Sequence, residues 1–331
     1  MPQMSLDEIE TLAFNALVEA GASEAQARPV ARSVRRAEAD DMRSVGLGYL
    51  PLYLQHLHSR KVDGAATPQV SHPRAALVTI DAGRGFAHPA FDAGFEQAVE
   101  AARACGVASL AITRSYSIGV LGHPVEDIAT RGLVALAFTN SPPNMAAWGG
   151  KRKIFGTNPL AFAAPRMGAP PLVVDQSSTV VTKVALVAAA GKEESIPSHW
   201  AFDSEGRATT NAAEALKGSM APFGGVKGAN IALLVELLGA ALTGANLSMN
   251  VHPYAIAEGP PPEVGQHFIL FDPDAFAPGF VDRIAMLVEA MTGEGARAPG
   301  ARRLIARERA AKEGCAVDDA LIARIRSATS P

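Results

Sequence analysis

The chain has 331 residues, 48% hydrophobic and 19% charged, which suits a full globular core and excludes a disordered polymer. Its 30 Lys and Arg against 33 Asp and Glu give a formal charge of −3, which argues against a nucleic-acid surface. Two cysteines, Cys105 and Cys315, cannot build a disulfide framework and favour a reducing cytoplasm. The polar start MPQMSLDEIE reads as no signal peptide, and the apolar runs break before the roughly 18 residues of a membrane span.

The first 60 residues read as helical. Ser5 and Glu8 suit a capping box, and Leu6, Ile9, Leu12, Ala13, Ala16 and Leu17 follow helical spacing until Gly21. Ser23 caps a second helix to about Asp41, and a third begins near Pro51. Residues 61–73, KVDGAATPQVSHP, read as a linker. Strands are expected at 76–81, 107–113, 133–139, 160–164 and 172–175, with helices at 91–105 and 125–131 between the first of them. Residues 188–226 read as a long excursion of loops. An apolar helix over 229–242, a late strand at 267–271, a helix at 280–291 and a charged helical tail from Arg302, broken at Gly314, complete an α+β (mixed α/β) pattern.

Several segments suggest chemistry. Gly83-Arg84-Gly85 follows a strand, but His88 replaces the third glycine of a dinucleotide fingerprint and the helix is expected too late, so an ordinary turn is the better reading. The eight histidines show no metal-ligand spacing; His123, between glycine-containing stretches, is the one of interest. Trp148 to Pro159, WGGKRKIFGTNP, is either a basic hairpin or an anion pocket in which backbone N–H groups and Thr157 face a carboxylate or phosphate. Gly224-Gly225-Val226-Lys227-Gly228 delivers a lysine to a helix start without the spacing of a P-loop. Arg297-Ala298-Pro299-Gly300-Ala301-Arg302-Arg303 is a second cationic turn ahead of a helix. Together the two suggest a ligand with several phosphates, as a nucleotide cofactor has.

TNSPPNMAAWGGKRKIFGTNPLAFAAPR (139–166), PFGGVKG (222–228), RAPGARR (297–303) and WAFDSEGRATTNAAEAL (200–216) together resemble the malate/L-lactate dehydrogenase-like family, across about residues 5–310. That family also holds sulfolactate and ureidoglycolate dehydrogenases and the piperideine-2-carboxylate/pyrroline-2-carboxylate reductases, the last being nearest in pattern. The resemblance implies a non-Rossmann fold. Its helical domain would be 1–74 with 304–331, its mixed-sheet NAD(P) core 75–186 with 222–303, and its small third domain 187–221. It further implies a homodimer and a small carboxylate substrate, with no metal, nucleic acid or membrane partner. NADPH is favoured, NADH being the alternative, because Arg297, Arg302 and Arg303 can grip a ribose 2′-phosphate. By carry-over the cofactor touches Ser117, Ile118, Gly119, Val120, Leu121, Asp175, Gln176, Ser177, Lys227, Gly228 and the three arginines. Thr157, Tyr49 and Val184 would face the substrate, and Ser44, Lys183 and Tyr116 are the catalytic candidates.

The departures from the family pattern carry the substrate argument. The segment D-x-x-[KR]-S-H-G followed by an arginine reads Asp40-Asp41-Met42-Arg43-Ser44-Val45-Gly46-Leu47-Gly48-Tyr49 here, so valine stands for the proton-donor histidine and tyrosine for the arginine. The histidine-bearing N-[SC]-x-H-F segment is Arg114-Ser115-Tyr116-Ser117-Ile118. Ala185 takes the place of a relay aspartate, with Lys183 close by. Hydride addition to a carbonyl leaves an alkoxide, and losing its acid costs ~10²–10⁴ in rate. A protonated cyclic imine already carries its proton. A ketimine reductase is therefore the first expectation; a malate- or lactate-type 2-hydroxy-acid dehydrogenase and a catalytically drifted nucleotide-binding relative are the alternatives. Tyr116, Lys183 and His123 are the candidates for replacement proton chemistry.

Overall fold

A computed structural model describes residues 1–330. In chain order the elements are β1 (Gln3–Met4), α1 (Leu6–Glu19), α2 (Glu24–Ala39), α3 (Leu50–His58), β2 (Gln69–Arg74), β3 (Leu77–Asp81), α4 (Ala87–Cys105), β4 (Val107–Ser115), α5 (Gly122–Thr130) and β5 (Val134–Thr139). Next come β6 (Met145–Ala146), β7 (Lys153–Phe155), β8 (Leu160–Ala164), β9 (Leu172–Gln176), α6 (Lys183–Gly191), β10 (Ala201–Phe202), α7 (Ala212–Lys217), β11 (Ser219–Met220) and α8 (Val226–Glu236). The chain closes with β12 (Val264–Phe271), α9 (Pro273–Phe276), α10 (Phe280–Gly293), α11 (Ala301–Glu313), β13 (Cys315–Ala316) and α12 (Asp319–Ser327).

Both chain ends build the helical domain. The capping box forms as expected: the Ser5 hydroxyl accepts the Glu8 N–H and the Glu8 carboxylate accepts the Ser5 N–H. Ile9, Leu17, Val30, Val34, Leu50, Leu54 and Ile325 then share one core, which α12 closes from the other end of the chain. Their burial is the main force holding the two termini together.

The central sheet has the order β2-β3-β4-β12-β5-β8-β9, parallel only between β3 and β4. Val78, Ile80, Leu110, Ile112 and Phe268 pack with Phe91 of α4 and Val125 of α5. The late strand starts at Val264 and lies at the sheet's centre. Most of β2 is exposed on an edge and its fourth residue, His72, precedes Pro73, so it lacks the alternation that marked the other strands. The expected linker therefore supplies a strand, and 69–74 belongs to the sheet rather than to the helical domain.

The excursion is also more ordered than expected. A four-stranded sheet of order β10-β11-β6-β7 packs with α6 and α7 around Leu186, Ile196, Ala201, Ala215 and Met220. This third unit recruits 145–155 and 183–191 besides 187–221. The apolar helix expected at 229–242 begins at Val226, and from Leu237 to Ala241 it widens into a π-helical turn. After Gly83-Arg84-Gly85 the helix starts at Ala87, sooner than expected, but Gln26 Oε1 already accepts the Phe86 N–H. That helix start serves packing. No helix among the described residues is long and apolar enough to cross a membrane.

A buried ion network joins the two large units. The Arg307 guanidinium of α11 donates to Asp40, which follows α2, and to Glu126 of α5, with Nη2 at 3.0 Å from Asp40 Oδ2 and 2.6 Å from Glu126 Oε2. His123 Nε2 lies 3.1 Å from the same Asp40 oxygen. Burial alone would raise the Asp40 carboxyl, but hydrogen bonds from His123 and Arg307 hold it down to about 2.

Candidate active site

A cleft of about 920 Å³ opens where the helical domain meets the edge of the central sheet. Its walls are Asp40, Asp41 and Met42, the end of β9 at Val173–Gln176, and the turn from Arg297 into α11. The sheet edge presents Asp175, whose carboxylate accepts the Gly122 N–H at 2.7 Å and so ties the segment before α5 to β9. Burial raises the Asp175 carboxyl against that bond and the Arg303 charge. A Cβ on Gly122 would lie 2.8 Å from Arg303 Nη1 and 3.0 Å from Asp175 Oδ2, so a side chain there would displace one of the two. Arg303 Nη1 is buried without a hydrogen-bond partner, and Arg297, Arg302 and Arg303 form no ion pair among the described residues. An orphaned guanidinium nitrogen beside two free arginines fits a phosphate-bearing ligand.

The carried-over segment 117–121 does not line this cleft and approaches it only through the next residue, Gly122, bonded to Asp175. Ile118, Val120 and Leu121 are buried, and the Ser117 hydroxyl accepts the Gly119 N–H at 3.2 Å. Gln176 is exposed at the cleft, and Ser177 turns its hydroxyl toward Thr179.

Of the 148–159 segment, the first part forms the basic hairpin: β6 and β7 pair antiparallel on either side of it, and Lys151 and Arg152 are exposed. The G-T-N-P turn that follows is a separate, constrained object. A Cβ on Gly156 would come within 2.3 Å of Ser141 Oγ, which excludes any side chain. Thr157 N–H donates to Ser141 Oγ at 3.1 Å, Thr157 O accepts from Ser178 N, and Asn158 O accepts from Ser178 Oγ. The Thr157 hydroxyl is half-buried with only Ser141 Oγ, 3.4 Å away, as a partner. Ser178 O in turn accepts the Phe223 N–H, which brings in the lysine turn. There a Cβ on Gly228 would sit 1.9 Å from Phe223 O, while Lys227 is exposed at the start of α8.

Lys183 donates to Asn144 Oδ1, and burial with the nearby Lys153 charge lowers the Lys183 ammonium from its usual range. Asn144 is itself held by the Phe155 carbonyl, so this lysine stands on the same hairpin that leads into the G-T-N-P turn. Val184, next on α6, is 50% exposed. Ser44 is exposed, its hydroxyl has no hydrogen bond among the described residues, and Val45 and Tyr49 are half-buried.

Tyr116 departs from the catalytic expectation. It is 0% exposed, enclosed by Tyr53, Phe86 and Tyr254, with its hydroxyl 2.5 Å from His56 Nδ1. Burial raises the phenol well above its ordinary value. It cannot donate a proton to a ligand from there; it forms the floor beneath Tyr49. His123 is likewise buried and bonded to Asp40, and burial lowers its imidazole against that bond, so its place is the ion network. Asn144 and Asn158 each have a proline beside them, the signal that marks them in the sequence, whereas Asp40 and Ser178 stand among polar neighbours and carry no such signal.

Comparison with known proteins agrees over the whole chain. The sequence profile described as malate/L-lactate dehydrogenase matches residues 4–326. A (2R)-3-sulfolactate dehydrogenase (NADP(+)) of Chromohalobacter salexigens is 43% identical over 98% of this chain and 97% of its own length. A Delta(1)-pyrroline-2-carboxylate reductase of Burkholderia ambifaria is 36% identical over 96% and 95%. The crystal structure of delta1-piperideine-2-carboxylate reductase from Pseudomonas syringae pv. tomato superposes with a TM-score of 0.94 at 35% identity, covering 99% of this chain and all of that one.

Proposed function

Because the chain belongs to the malate/L-lactate dehydrogenase family of NAD(P)-dependent oxidoreductases, we propose that it reduces cyclic ketimine carboxylates, such as pyrroline-2-carboxylate or piperideine-2-carboxylate, with NADPH. The observation that carries this reading lies in the 41–49 segment, which has Ser44 and Val45 where the family pattern has a serine and its proton-donor histidine. Relatives named as reductases of these imines support it.

The bound cofactor supplies a hydride. Arg297, Arg302 and Arg303 hold its phosphates, Asp175, Gln176 and Ser177 with the 117–121 backbone line its path, and Lys227 and Gly228 close the other side. Thr157 donates to the substrate carboxylate, and the Lys183 ammonium adds a positive charge on that side. Tyr49 and Val184 limit the size of the ring. As C2 of the iminium accepts the hydride, the C=N π pair returns to nitrogen, which already bears its proton. Ser44 needs only to hydrogen-bond that N–H.

The second reading is a 2-hydroxy-acid dehydrogenase, favoured by the lowered Lys183 ammonium, an available acid for an alkoxide, and by the sulfolactate-dehydrogenase relative. The double variant Val45→His/Tyr49→Arg separates them. Under the ketimine reading it gains keto-acid reduction by about 10²-fold. Under the second reading the unaltered protein already turns over keto acids and gains little.

A homodimer accompanies the reading. Along α8 and just beyond it, Val226, Leu233, Leu234, Leu237 and Leu242 are 45, 44, 40, 51 and 65% exposed, an apolar stripe at helical spacing. Light scattering should give twice the chain mass for the wild type and a single chain mass for Leu237→Glu. A wild-type monomer at micromolar concentration would exclude the dimer.

A further inference from the structure

We propose that Glu236 is a positioning residue: from the last turn of α8 it fixes the Thr157-Asn158 turn against the substrate carboxylate. The inference rests on the reading of Thr157 given above. Glu236 is 6% exposed and has no ion-pair partner among the described residues. Its carboxylate instead accepts three hydrogen bonds. Ser248 N donates to Oε1 at 2.5 Å, while Ser248 Oγ at 2.7 Å and Asn158 Nδ2 at 2.8 Å share Oε2.

Asn158 is the residue that needs holding. It is 0% exposed and has φ +38°, a left-handed conformation that asparagine tolerates better than most side chains but does not prefer. Its second amide hydrogen goes to the Ala232 carbonyl at 2.9 Å, so both Nδ2 hydrogens end on α8. The π-helical turn begins at the residue after Glu236. Such one-turn widenings recur at functional sites. Lys227 stands nine residues earlier, roughly 13 Å along the same helix. A rigid rod thus carries the cofactor lysine at one end and the clamp on the substrate turn at the other. Ser178 grips the same turn from the strand side, through Asn158 O at 2.7 Å.

Glu236→Gln tests this with almost no change of volume. An amide cannot accept at both ends, so one donor among Ser248 N–H and Asn158 Nδ2 meets another donor. The substitution should raise KM for the imino acid about tenfold, speed amide hydrogen exchange in the peptide over 155–160, and leave the NADPH dissociation constant within about twofold. Ser248→Ala, which removes one of the three bonds, is the milder variant should the first fold poorly, and should shift the same two readouts in the same direction by less. Unchanged exchange and unchanged KM in both variants would overturn the proposal. So would a parallel loss of NADPH affinity, kcat and melting temperature, which marks a merely structural carboxylate. Faster exchange in a protein whose wild type reduces no imine would keep the positioning role and remove the substrate reading.

Discussion

Arg303→Ala is expected to weaken NADPH binding by about ten- to a hundredfold, with NADH binding changed by less than about threefold. Arg303 is the cleft arginine with a buried, unpartnered Nη1, set against Gly122 and Asp175. A phosphate oxygen would give that buried nitrogen the acceptor that the protein does not supply. A charge-assisted bond of this kind contributes about 1.5–3 kcal/mol, which sets the expected range. Fluorescence titration of the reduced cofactors measures both constants. Equal losses for NADH and NADPH would move Arg303 from the ribose phosphate to the pyrophosphate that both share, and would withdraw the NADPH preference.

The second large effect concerns stability. Arg307→Ala leaves Asp40 and Glu126 buried without their shared cation, and breaking a buried pair in this way costs about 3–5 kcal/mol. For a chain of this size the melting temperature should fall by about 5–10 °C. The sign with pH follows from the carboxyls. Burial would raise both, yet their hydrogen bonds outweigh it, holding Asp40 at about 2 and Glu126 below its usual value. A depressed carboxyl stabilises the fold above its unfolded pKa, and that contribution fades as pH falls through the folded value. Wild-type stability should therefore drop between about pH 4 and 2, and Arg307→Ala should make that acid-side slope shallower without removing it, because His123 still holds Asp40 and Arg36 still holds Glu126. Thermal melts across that range read both. A variant within about 1 °C of wild type at pH 7 would show that the network contributes nothing.

Where a segment is both apolar and periodic, its structure was legible. The capping box at Ser5 and Glu8 and the buried strands at 77–81, 134–139, 160–164 and 172–176 formed where spacing put them. The misses share a cause. β2 is an exposed edge whose pairing comes from β3 rather than from its own side chains. The strands and the short helix α7 of the third unit, two to six residues each, are too short for a period to show and are set by long-range packing. In the site, turns that demand glycine or cations could be read directly: Lys227-Gly228, the 297–303 arginines and Gly156. Burial could not. Tyr116 looks like an acid in sequence, and only the packing of Tyr53, Phe86 and Tyr254 around it reveals a floor. Glu236 sits in an apolar helix where one carboxylate reads as a solvated residue until Asn158 and Ser248 fold onto it.

Under the proposed function a protonated imine makes the missing acid unnecessary. The most direct measurement of this is the initial rate of NADPH oxidation with pyrroline-2-carboxylate, piperideine-2-carboxylate, pyruvate, oxaloacetate and sulfopyruvate under one set of conditions. The expected result is a kcat/KM for a cyclic imine that exceeds that for every keto acid by about 10²-fold or more. A keto acid reduced faster than both imines would contradict it.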